Sequence, residues 1–300
     1  MITPQALKAG DTIGIVSTAR KITEKELEPA VGLFESWGLK VIFGKNIFHA
    51  DNQYSGTDAE RAADLQQMLD DDSVKAIICA RGGYGTVRII DRIDCTHFMT
   101  HPKWIVGYSD VTVLHSHIHT NCGIETIHAM MPVSMNQPGH DKESEESLRK
   151  VLFGEKIIYN LPSHPLNRSG KAKGVMVGGN LSLLHTLAGT ASDINTDGRI
   201  LFIEDLDEYL YHIDRMILSL KRCGKLKDLA ALIVGGMTEM NDNETPFGKD
   251  AYTIIAEAVA EFHYPVIFGF PAGHIGRNLA LVMGRKLSLK AGETVEVAFL

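Results

Sequence analysis

A serine lies where an apolar run is followed by a segment with helical character. Residues 104–115 read Trp-Ile-Val-Gly-Tyr-Ser-Asp-Val-Thr-Val-Leu-His. A strand, a sharp turn and a helix N-terminus in that order would lift the hydroxyl of Ser109 out of the backbone, beside the free N–H groups of the first helical turn. This is the geometry of a nucleophile elbow, although the G-x-S-x-G pattern fails at its last position, where Val111 stands. The alternative is that Ser109 only caps the helix.

Glycines cluster in a second loop, which also follows an apolar run. Residues 81–85 read Arg-Gly-Gly-Tyr-Gly. Neither the dinucleotide fingerprint G-x-G-x-x-G nor the phosphate loop G-x-x-x-x-G-K-[ST] fits this stretch, so NAD and ATP binding are not predicted. Glycines let backbone N–H groups approach a ligand closely, and this loop is placed to supply half of an oxyanion hole facing Ser109. A tight turn without a chemical role is the other interpretation.

A serine nucleophile needs a base that takes its proton and an acid that orients the base. Among the thirteen histidines, His274 stands out because it follows an apolar run, in a Pro-Ala-Gly-His turn. Glu204 ends another apolar run and is a candidate for the acid. The pattern alone does not separate Glu204 from Asp205, Asp207 and Glu208.

Three histidines follow Ser109 on the same predicted helix and raise the question of a metal site. Of His115, His117 and His119, only the first and third share a helix face. No carboxylate completes a ligand set in the H-E-x-x-H manner. We therefore predict neither a metal nor a cofactor, and expect packed or surface histidines.

The composition is that of an ordinary globular protein. The chain has 300 residues, of which 44% are hydrophobic and 22% charged, and a net charge of −7. The negative charge argues against a nucleic-acid partner. No apolar run approaches the roughly 18 residues of a membrane span, and residues 1–11 show no secretory signal. The four cysteines lie far apart and favour reduced thiols. We predict a cytoplasmic protein without a membrane partner.

The first half alternates between strands and helices. Strands are predicted at Thr12–Ser17, Leu39–Phe43, Val74–Cys79 and Trp104–Val106. Helices are predicted at Glu24–Trp37 and after Thr57, whose capping box with Glu60 opens a helix that runs to Asp70. This alternation predicts a parallel sheet covered on both faces. Ligands bind at the carboxyl ends of such strands, where Ser109 and the glycine loop lie.

The second half begins with a stretch of different composition. From Gln137 to Gly170, proline and glycine punctuate the chain, including Pro138 and Gly139. We divide the chain into an N-terminal domain (1–155), a linker (156–172) and a C-terminal domain (173–300). A long amphipathic helix is predicted at Phe247–Phe262, and the alternating tail, Leu279–Phe299, predicts a small meander or barrel-like sheet.

Several dispersed motifs together resemble one family. They are Gly56–Leu65, Ala80–Gly85, Gly107–Asp110, Gly178–Leu181, Leu201–Asp205, Ile213–Arg215 and Gly273–His274. In this order they resemble the LD-carboxypeptidases, the serine peptidases that also include the microcin C self-immunity proteins. The resemblance covers nearly the whole chain.

The resemblance implies a Ser-Glu-His triad. Ser109 would be the nucleophile, His274 the general base and Glu204 the orienting acid, since the family places its acid in the Phe-Ile-Glu-Asp position. It also implies an α/β fold with a Rossmann-like parallel-sheet N-terminal domain and a smaller β-rich C-terminal domain, in a homodimer. The typical reaction removes the terminal D-alanine from a murein tetrapeptide in cytoplasmic cell-wall recycling, without a metal.

The resemblance further implies an oxyanion hole made by the backbone N–H groups of Asp110 and Gly83, with Gly82 as the competing donor. A carboxypeptidase must recognise a free carboxylate, and Arg81 or N–H groups near Gly82 are candidates. Arg81 in an ion pair that supports the loop is the alternative. Asn180 would orient substrate amides or cap the helix that follows it.

Two rival functions remain open at this point. One is a hydrolase like the microcin-immunity proteins, which would cleave an aminoacyl nucleotide or another amide conjugate. The other is a two-domain binding protein without catalysis. An intact Ser109, Glu204 and His274 argues against the second.

Overall fold

The computed structural model describes residues 1–135 and 141–300. Within these ranges the strands are β1 (Thr12–Val16), β2 (Lys40–Phe43), β3 (Val74–Cys79), β4 (Trp104–Gly107), β5 (Thr126–His128), β6 (Ile158–Pro162), β7 (Gly170–Asn180), β8 (Ile200–Leu206), β9 (Ala231–Thr238), β10 (Val266–Ile267), β11 (Leu281–Met283), β12 (Lys286–Ala291) and β13 (Thr294–Phe299). The helices are α1 (Glu24–Ser36), α2 (Asp58–Asp70), α3 (Thr96–Thr100), α4 (Thr112–Asn121), α5 (Pro132–Met135), α6 (Lys142–Leu152), α7 (Leu181–Leu187), α8 (Leu210–Arg222) and α9 (Ala251–Ala258). Short 3₁₀ turns cover Thr86–Arg88, Ile90–Arg92 and Ser109–Val111.

Six strands form the first sheet, in the order β11-β5-β4-β3-β1-β2. Strands β1 to β5 are parallel. In β3 and β4 every residue except Lys75 is buried, as expected for strands covered by helices on both faces. The parallel N-terminal sheet predicted from the sequence is confirmed. Its edge strand β11 comes from the far end of the chain and pairs antiparallel with β5.

Seven strands form the second sheet, in the order β10-β9-β8-β7-β12-β13-β6. Strands β10, β9, β8 and β7 pair parallel to one another. Beyond β7, strands β12, β13 and β6 are added by antiparallel pairing. The long strand β7 belongs to both parts. Its first half pairs with β12, and its second half, residues 176–180, pairs with β8 and is fully buried. The predicted tail sheet forms only in part, because β12 and β13 pair antiparallel whereas β11 joins the first sheet. The predicted α/β fold class is confirmed.

Local signals in the sequence fix several helix ends. The predicted capping box of Thr57 and Glu60 opens α2, as expected. The predicted helix Phe247–Phe262 is too long, because only Ala251–Ala258 is helical. The carboxylate of Asp250 accepts the N–H of Thr253 at 2.7 Å and so starts the helix there.

The predicted linker, residues 156–172, does not correspond to a separate segment of the structure. Strand β6 and the first residues of β7 fall within 156–172, so the boundaries remain a prediction. Pro138 and Gly139, where the punctuated stretch begins, lie outside the described residues. In the part of the chain that the structure describes, we find no helix with the length and apolar character of a membrane span.

The two sheets share an apolar cluster. A single apolar cluster contains Val106 of the first sheet and Phe202 of the second. Across the same boundary the N–H of Asn180 donates to the Thr112 hydroxyl at 2.9 Å. Helix α4 is therefore fixed against the end of β7, and the carboxyl ends of β4 and β8 face one another across this contact.

Candidate active site

Ser109 follows β4 in a strained backbone conformation. Its φ angle is +64°, in the left-handed region that non-glycine residues avoid. Such a conformation costs about 1–3 kcal/mol and persists only where the surroundings impose it. Val111 is buried, and a Cβ placed on Gly107 would lie 2.7 Å from its Cγ2 atom. The valine thus packs under the turn, and the elbow forms although its last position is not glycine.

His274 lies between Ser109 and Glu204. Its Nε2 atom is 3.0 Å from the Ser109 hydroxyl oxygen, and its Nδ1 atom is 2.7 Å from Oε2 of Glu204. An ionised carboxylate only accepts hydrogen bonds, so Nδ1 carries the proton and Nε2 accepts from the serine. The backbone N–H of His274 donates to the same Oε2 at 3.2 Å. The imidazole is therefore held in the tautomer that a general base needs.

The turn before His274 requires glycine. Gly273 has φ +106°, and a Cβ at this position would lie 2.6 Å from Oε2 of Glu204. Its N–H donates to the side-chain oxygen of Asn278 at 2.9 Å. The Thr238 hydroxyl donates to the His274 carbonyl at 2.9 Å. These contacts set the backbone that presents the imidazole.

Neighbouring carboxylates raise the pKa of the His274 imidazole. Burial alone would lower the pKa of His274, but the hydrogen bond and charge of Glu204 raise it, with further contributions from Asp205 and Glu239. The net effect places the pKa of His274 above its ordinary value of 6.5. A raised pKa means that the neutral imidazole is a stronger proton acceptor.

Asp205, the neighbour of Glu204 on β8, is occupied elsewhere. Its carboxylate accepts from the side-chain nitrogen of Asn180 at 2.8 Å and from the N–H and hydroxyl of Ser182, each at 2.9 Å. Burial and the charge of Glu204 raise the pKa of Asp205 to about 6. Adjacent residues of a strand point to opposite faces, so only one of the pair reaches His274.

The two later carboxylates also have other partners. Asp207 accepts from the side chain of Asn241 at 2.9 Å, and Glu208 pairs with Nδ1 of His212 at 2.8 Å. Of the four carboxylates that the sequence left in competition, Glu204 contacts the imidazole.

The glycine loop lies close to the Ser109 hydroxyl. A Cβ on Gly82 would lie 3.2 Å from the Ser109 hydroxyl oxygen. Gly83 has φ +110°, and a Cβ there would lie 2.6 Å from Cδ of Arg20. Asp110 ties the loop to the elbow, because its carboxylate accepts the N–H of Thr86 at 2.9 Å. The loop thus contacts Ser109 through Gly82 and Arg20 through Gly83.

Arg61 supports this loop through hydrogen bonds and was not predicted from the sequence. The side chain is 1% exposed. One guanidinium nitrogen donates to the carbonyl of Thr18 at 2.5 Å and to that of Gly85 at 3.1 Å, and the other pairs with Asp58. Arginines are rarely buried, so nothing in the sequence except its place in the motif Gly56–Leu65 marks it.

Two of the three substrate-binding candidates, Arg81 and Asn180, have side chains that make contacts within the protein. Arg81 pairs with Glu26 at 3.3 Å and approaches the carbonyl of Lys21 at 3.4 Å. Asn180 is buried, and its side-chain oxygen accepts the N–H of Leu183 at 3.2 Å as the cap of α7. These contacts correspond to the supporting roles that the sequence left open for both residues.

The histidines of α4 do not converge. His115 donates from Nε2 to the carbonyl of Gly107 at 2.9 Å, and His117 contacts the Ser192 hydroxyl at 2.9 Å. Burial lowers the pKa of His115 to about 4 and that of His119 to about 3, so both are neutral at physiological pH. They pack the interior beneath the elbow.

A cluster with metal-ligand chemistry lies elsewhere in the described chain. The donor atoms of Asp72, His97 and His101 lie within 4.8 Å of one another. Asp72 precedes β3 and His101 precedes β4, whereas Ser109 follows β4. The cluster is therefore at the opposite end of the first sheet from the elbow.

Comparison with known proteins places this geometry in a family. The sequence model for the LD-carboxypeptidase N-terminal domain matches residues 13–129, and that for the C-terminal domain matches residues 173–289. A probable murein peptide carboxypeptidase of Bacillus subtilis (strain 168) is 36% identical over 297 residues, which are 98% of this chain and 93% of that protein. The chain belongs to the LD-carboxypeptidase family.

Other members of the family differ in their named activities. The microcin C7 self-immunity protein of Escherichia coli is 27% identical, with 94% of this chain and 91% of that protein aligned. The crystal structure of muramoyltetrapeptide carboxypeptidase from Oxalobacter formigenes superposes with a TM-score of 0.88 at 25% identity, covering 96% of this chain and 98% of that one. The resemblance predicted from the motifs is confirmed, and so is the prediction of a serine carboxypeptidase-type enzyme.

Proposed function

We propose that this LD-carboxypeptidase family member hydrolyses the L,D-peptide bond before the terminal D-alanine of murein tetrapeptides. Its nucleophile would be Ser109, its general base His274 and its orienting acid Glu204. The observation that carries this assignment is the continuous hydrogen-bonded chain from the serine hydroxyl through the imidazole to the carboxylate, at 3.0 and 2.7 Å. Both contacts lie within the reach required for proton transfer.

The geometry supports the following acylation step. The Ser109 oxygen attacks the scissile carbonyl while its proton moves to Nε2 of His274. The positive imidazolium that results is stabilised by Glu204 through the Nδ1–H bond. Because one carboxylate oxygen also accepts the backbone N–H of His274, the ring keeps its orientation as its charge changes.

The tetrahedral intermediate requires donors for its oxyanion. We propose the backbone N–H of Asp110 at the start of the 3₁₀ turn, together with an N–H of the Gly82–Gly83 pair. A well-placed donor of this kind contributes about 3–4 kcal/mol to transition-state stabilisation. His274 then returns its proton to the leaving amine of D-alanine, and water releases the acyl group from Ser109 by the same route in reverse.

Mass spectrometry tests the substrate assignment. Purified protein is incubated with a murein tetrapeptide, and loss of the terminal D-alanine is expected from the wild type but not from Ser109→Ala. Absence of D-alanine release by a folded wild-type protein would refute the tetrapeptide as substrate. The names of the Bacillus and Oxalobacter relatives support this choice of substrate.

A second candidate is suggested by the Escherichia coli relative. An amidase like the microcin-immunity protein would use the same triad on an aminoacyl nucleotide or another peptide conjugate. Incubation of the same protein with an aminoacyl sulfamoyl adenosine separates the two, since cleavage of this compound without cleavage of the tetrapeptide would favour the amidase.

The remaining features of this proposal concern assembly and location. We propose a homodimer that acts in the cytoplasm on peptides returned from the cell wall, as the family resemblance implies. Light scattering coupled to size exclusion tests the first point, and cell fractionation tests the second. A strictly monomeric species across the micromolar range would overturn the dimer.

A further inference from the structure

The proposed reaction leaves one recognition problem without a residue. A carboxypeptidase binds a substrate whose carboxylate lies one residue beyond the scissile carbonyl. This anion must approach a protein with a net charge of −7. Around His274, the carboxylates of Glu204, Asp205 and Glu239 all act on the imidazole with negative charge. These negative charges disfavour a substrate carboxylate near His274, whereas a cation beside the glycine loop, which also contacts Ser109, would favour one there.

Arg81, the carboxylate-binding candidate in that loop, already forms an ion pair within the protein. It pairs with Glu26 at 3.3 Å and points to the carbonyl of Lys21. Turning it toward a substrate would leave the Glu26 carboxylate without this partner. An arginine with an ion pair inside the protein gains less from a second carboxylate than an unpaired one does.

Arg20 is placed differently. Its Cγ, Cδ and Nε atoms would lie 2.6–2.7 Å from a Cβ on Gly83, so the absence of a side chain there makes room for the arginine stem. Gly82, the preceding residue, is the one that contacts the Ser109 hydroxyl. Arg20 itself is exposed. Among the described residues no carboxylate forms an ion pair with Arg20.

The contacts of Ser109 and Arg20 fall on adjacent residues of the glycine loop. Consecutive Cα atoms are about 3.8 Å apart, both in the Gly82–Gly83 pair and in a bound substrate. A substrate whose scissile carbonyl lies against Ser109 beside Gly82, and whose last residue runs along the loop toward Gly83, brings its terminal carboxylate toward the stem of Arg20.

The backbone that carries Arg20 is fixed before any ligand binds. The Ser17 hydroxyl donates to the Arg20 carbonyl at 2.6 Å. Arg20 forms a β-bridge with Tyr54, and the N–H of Lys21 donates to the carbonyl of Gln53 at 2.9 Å. A guanidinium on such a fixed loop loses little freedom when it binds, and its planar shape accepts a carboxylate through two parallel hydrogen bonds.

We infer that Arg20 forms the subsite for the substrate's terminal carboxylate, next to the glycine loop. This inference rests on the proposed carboxypeptidase function and names a specificity-determining residue for it. The stem of Arg20 lies against Gly83, and its guanidinium forms a bidentate pair with the carboxylate of the terminal D-alanine. Arg81 supports the loop through Glu26.

The test compares two substrates that differ only in this carboxylate. The murein tetrapeptide and its C-terminal amide are assayed for release of D-alanine or D-alaninamide, with kcat and KM measured separately. The wild type should prefer the acid. Arg20→Met should lower kcat/KM for the acid by roughly tenfold to a hundredfold, mainly through KM, because it removes a charged hydrogen-bonding partner. The rate on the amide should stay within about threefold of the wild type.

The controls distinguish the subsite from general effects. Lys21→Met removes a neighbouring exposed cation and should leave the preference for the acid unchanged, whereas Arg20→Lys should retain part of it. Thermal unfolding verifies that each variant folds. An unchanged acid-to-amide ratio in Arg20→Met would overturn the inference, as would a collapse of this ratio in Arg81→Met instead. A folded wild type that cleaves neither peptide would refute the proposed function itself, and the inference with it.

Discussion

Replacing Glu204 by glutamine isolates the charge of the proposed acid. Oε2 of Glu204 accepts two N–H groups of His274, while no described residue donates to Oε1. A glutamine that keeps both bonds must place its oxygen at the Oε2 position and its NH₂ group at the other. The Nδ1–H tautomer of His274 is then preserved. Glu204→Gln therefore removes the negative charge and leaves the arrangement of the imidazole intact.

The size of the effect follows from the distance between the charges. In the transition state an imidazolium and a carboxylate about 4 Å apart interact by about 4 kcal/mol at an effective dielectric constant near 20. Each 1.4 kcal/mol of barrier is about a factor of ten in rate. Glu204→Gln should thus lower kcat by roughly a thousandfold, with a smaller change in KM.

The same substitution has a signature in the pH profile. His274 must be neutral to accept a proton, so activity falls as the pH drops through its pKa. Glu204 contributes to raising that pKa above 6.5. The acid limb of kcat/KM in the wild type should therefore lie above pH 6.5, and in Glu204→Gln it should move to lower pH. Steady-state kinetics on the tetrapeptide across about pH 5 to 9 measure both effects.

Glu208→Gln is the matched control. Glu208 pairs with His212 at 2.8 Å and makes no contact with His274. Its kcat should remain within about threefold of the wild type. Our reasoning would be refuted by a folded Glu204→Gln variant with nearly wild-type kcat, by an acid limb that does not move, or by a larger loss in Glu208→Gln.

Three further substitutions test other parts of the site. Ser109→Ala should abolish D-alanine release without lowering the melting temperature, and substantial residual turnover would remove Ser109 from the mechanism. Gly273→Ala places a Cβ 2.6 Å from Oε2 of Glu204, so kcat should fall at least about a hundredfold; unchanged kinetics would contradict the close approach. Arg61→Leu leaves two buried carbonyls without their donor, and urea titration should show a loss of about 3 kcal/mol in the free energy of unfolding; a loss below about 1 kcal/mol would contradict the bracing role.

Local patterns in the sequence predict the fold class well. The alternation of apolar runs and amphipathic segments predicts parallel strands, and the Thr57 capping box predicts the start of α2. The sequence does not predict the edge of the first sheet. Strand β11 is three residues long and its partner β5 lies far away in the chain. Such a pairing depends on how the rest of the molecule is packed, which no local pattern records.

The candidate site is also predicted by the sequence only in part. Chain position at strand ends marks Ser109, Glu204 and His274 as candidates, but the serine and the histidine are 165 residues apart. Glu204 and Asp205 are adjacent and chemically similar, and the choice between them depends on which face of β8 meets the imidazole. That face is set by the pairing of β8 with β7 and β9.

The sequence also does not predict the environments of two arginines. Arg61 and Arg20 have ordinary sequence surroundings, and their environments follow from contacts with loops distant in the chain. Arg61 is buried by the loops that it braces, whereas Arg20 is exposed beside a glycine. Residue type alone assigns both to the surface.

The position of β11 also constrains the order in which the nascent chain can fold. About 150 residues separate β5 from this partner, and at ribosomal speeds of about 5–20 residues per second they take roughly eight to thirty seconds to appear. During that interval the outer side of β5 carries unpaired backbone groups, which invite association with other chains. A chaperone or a neighbouring segment that shields β5 until β11 is synthesised would raise the yield of native protein.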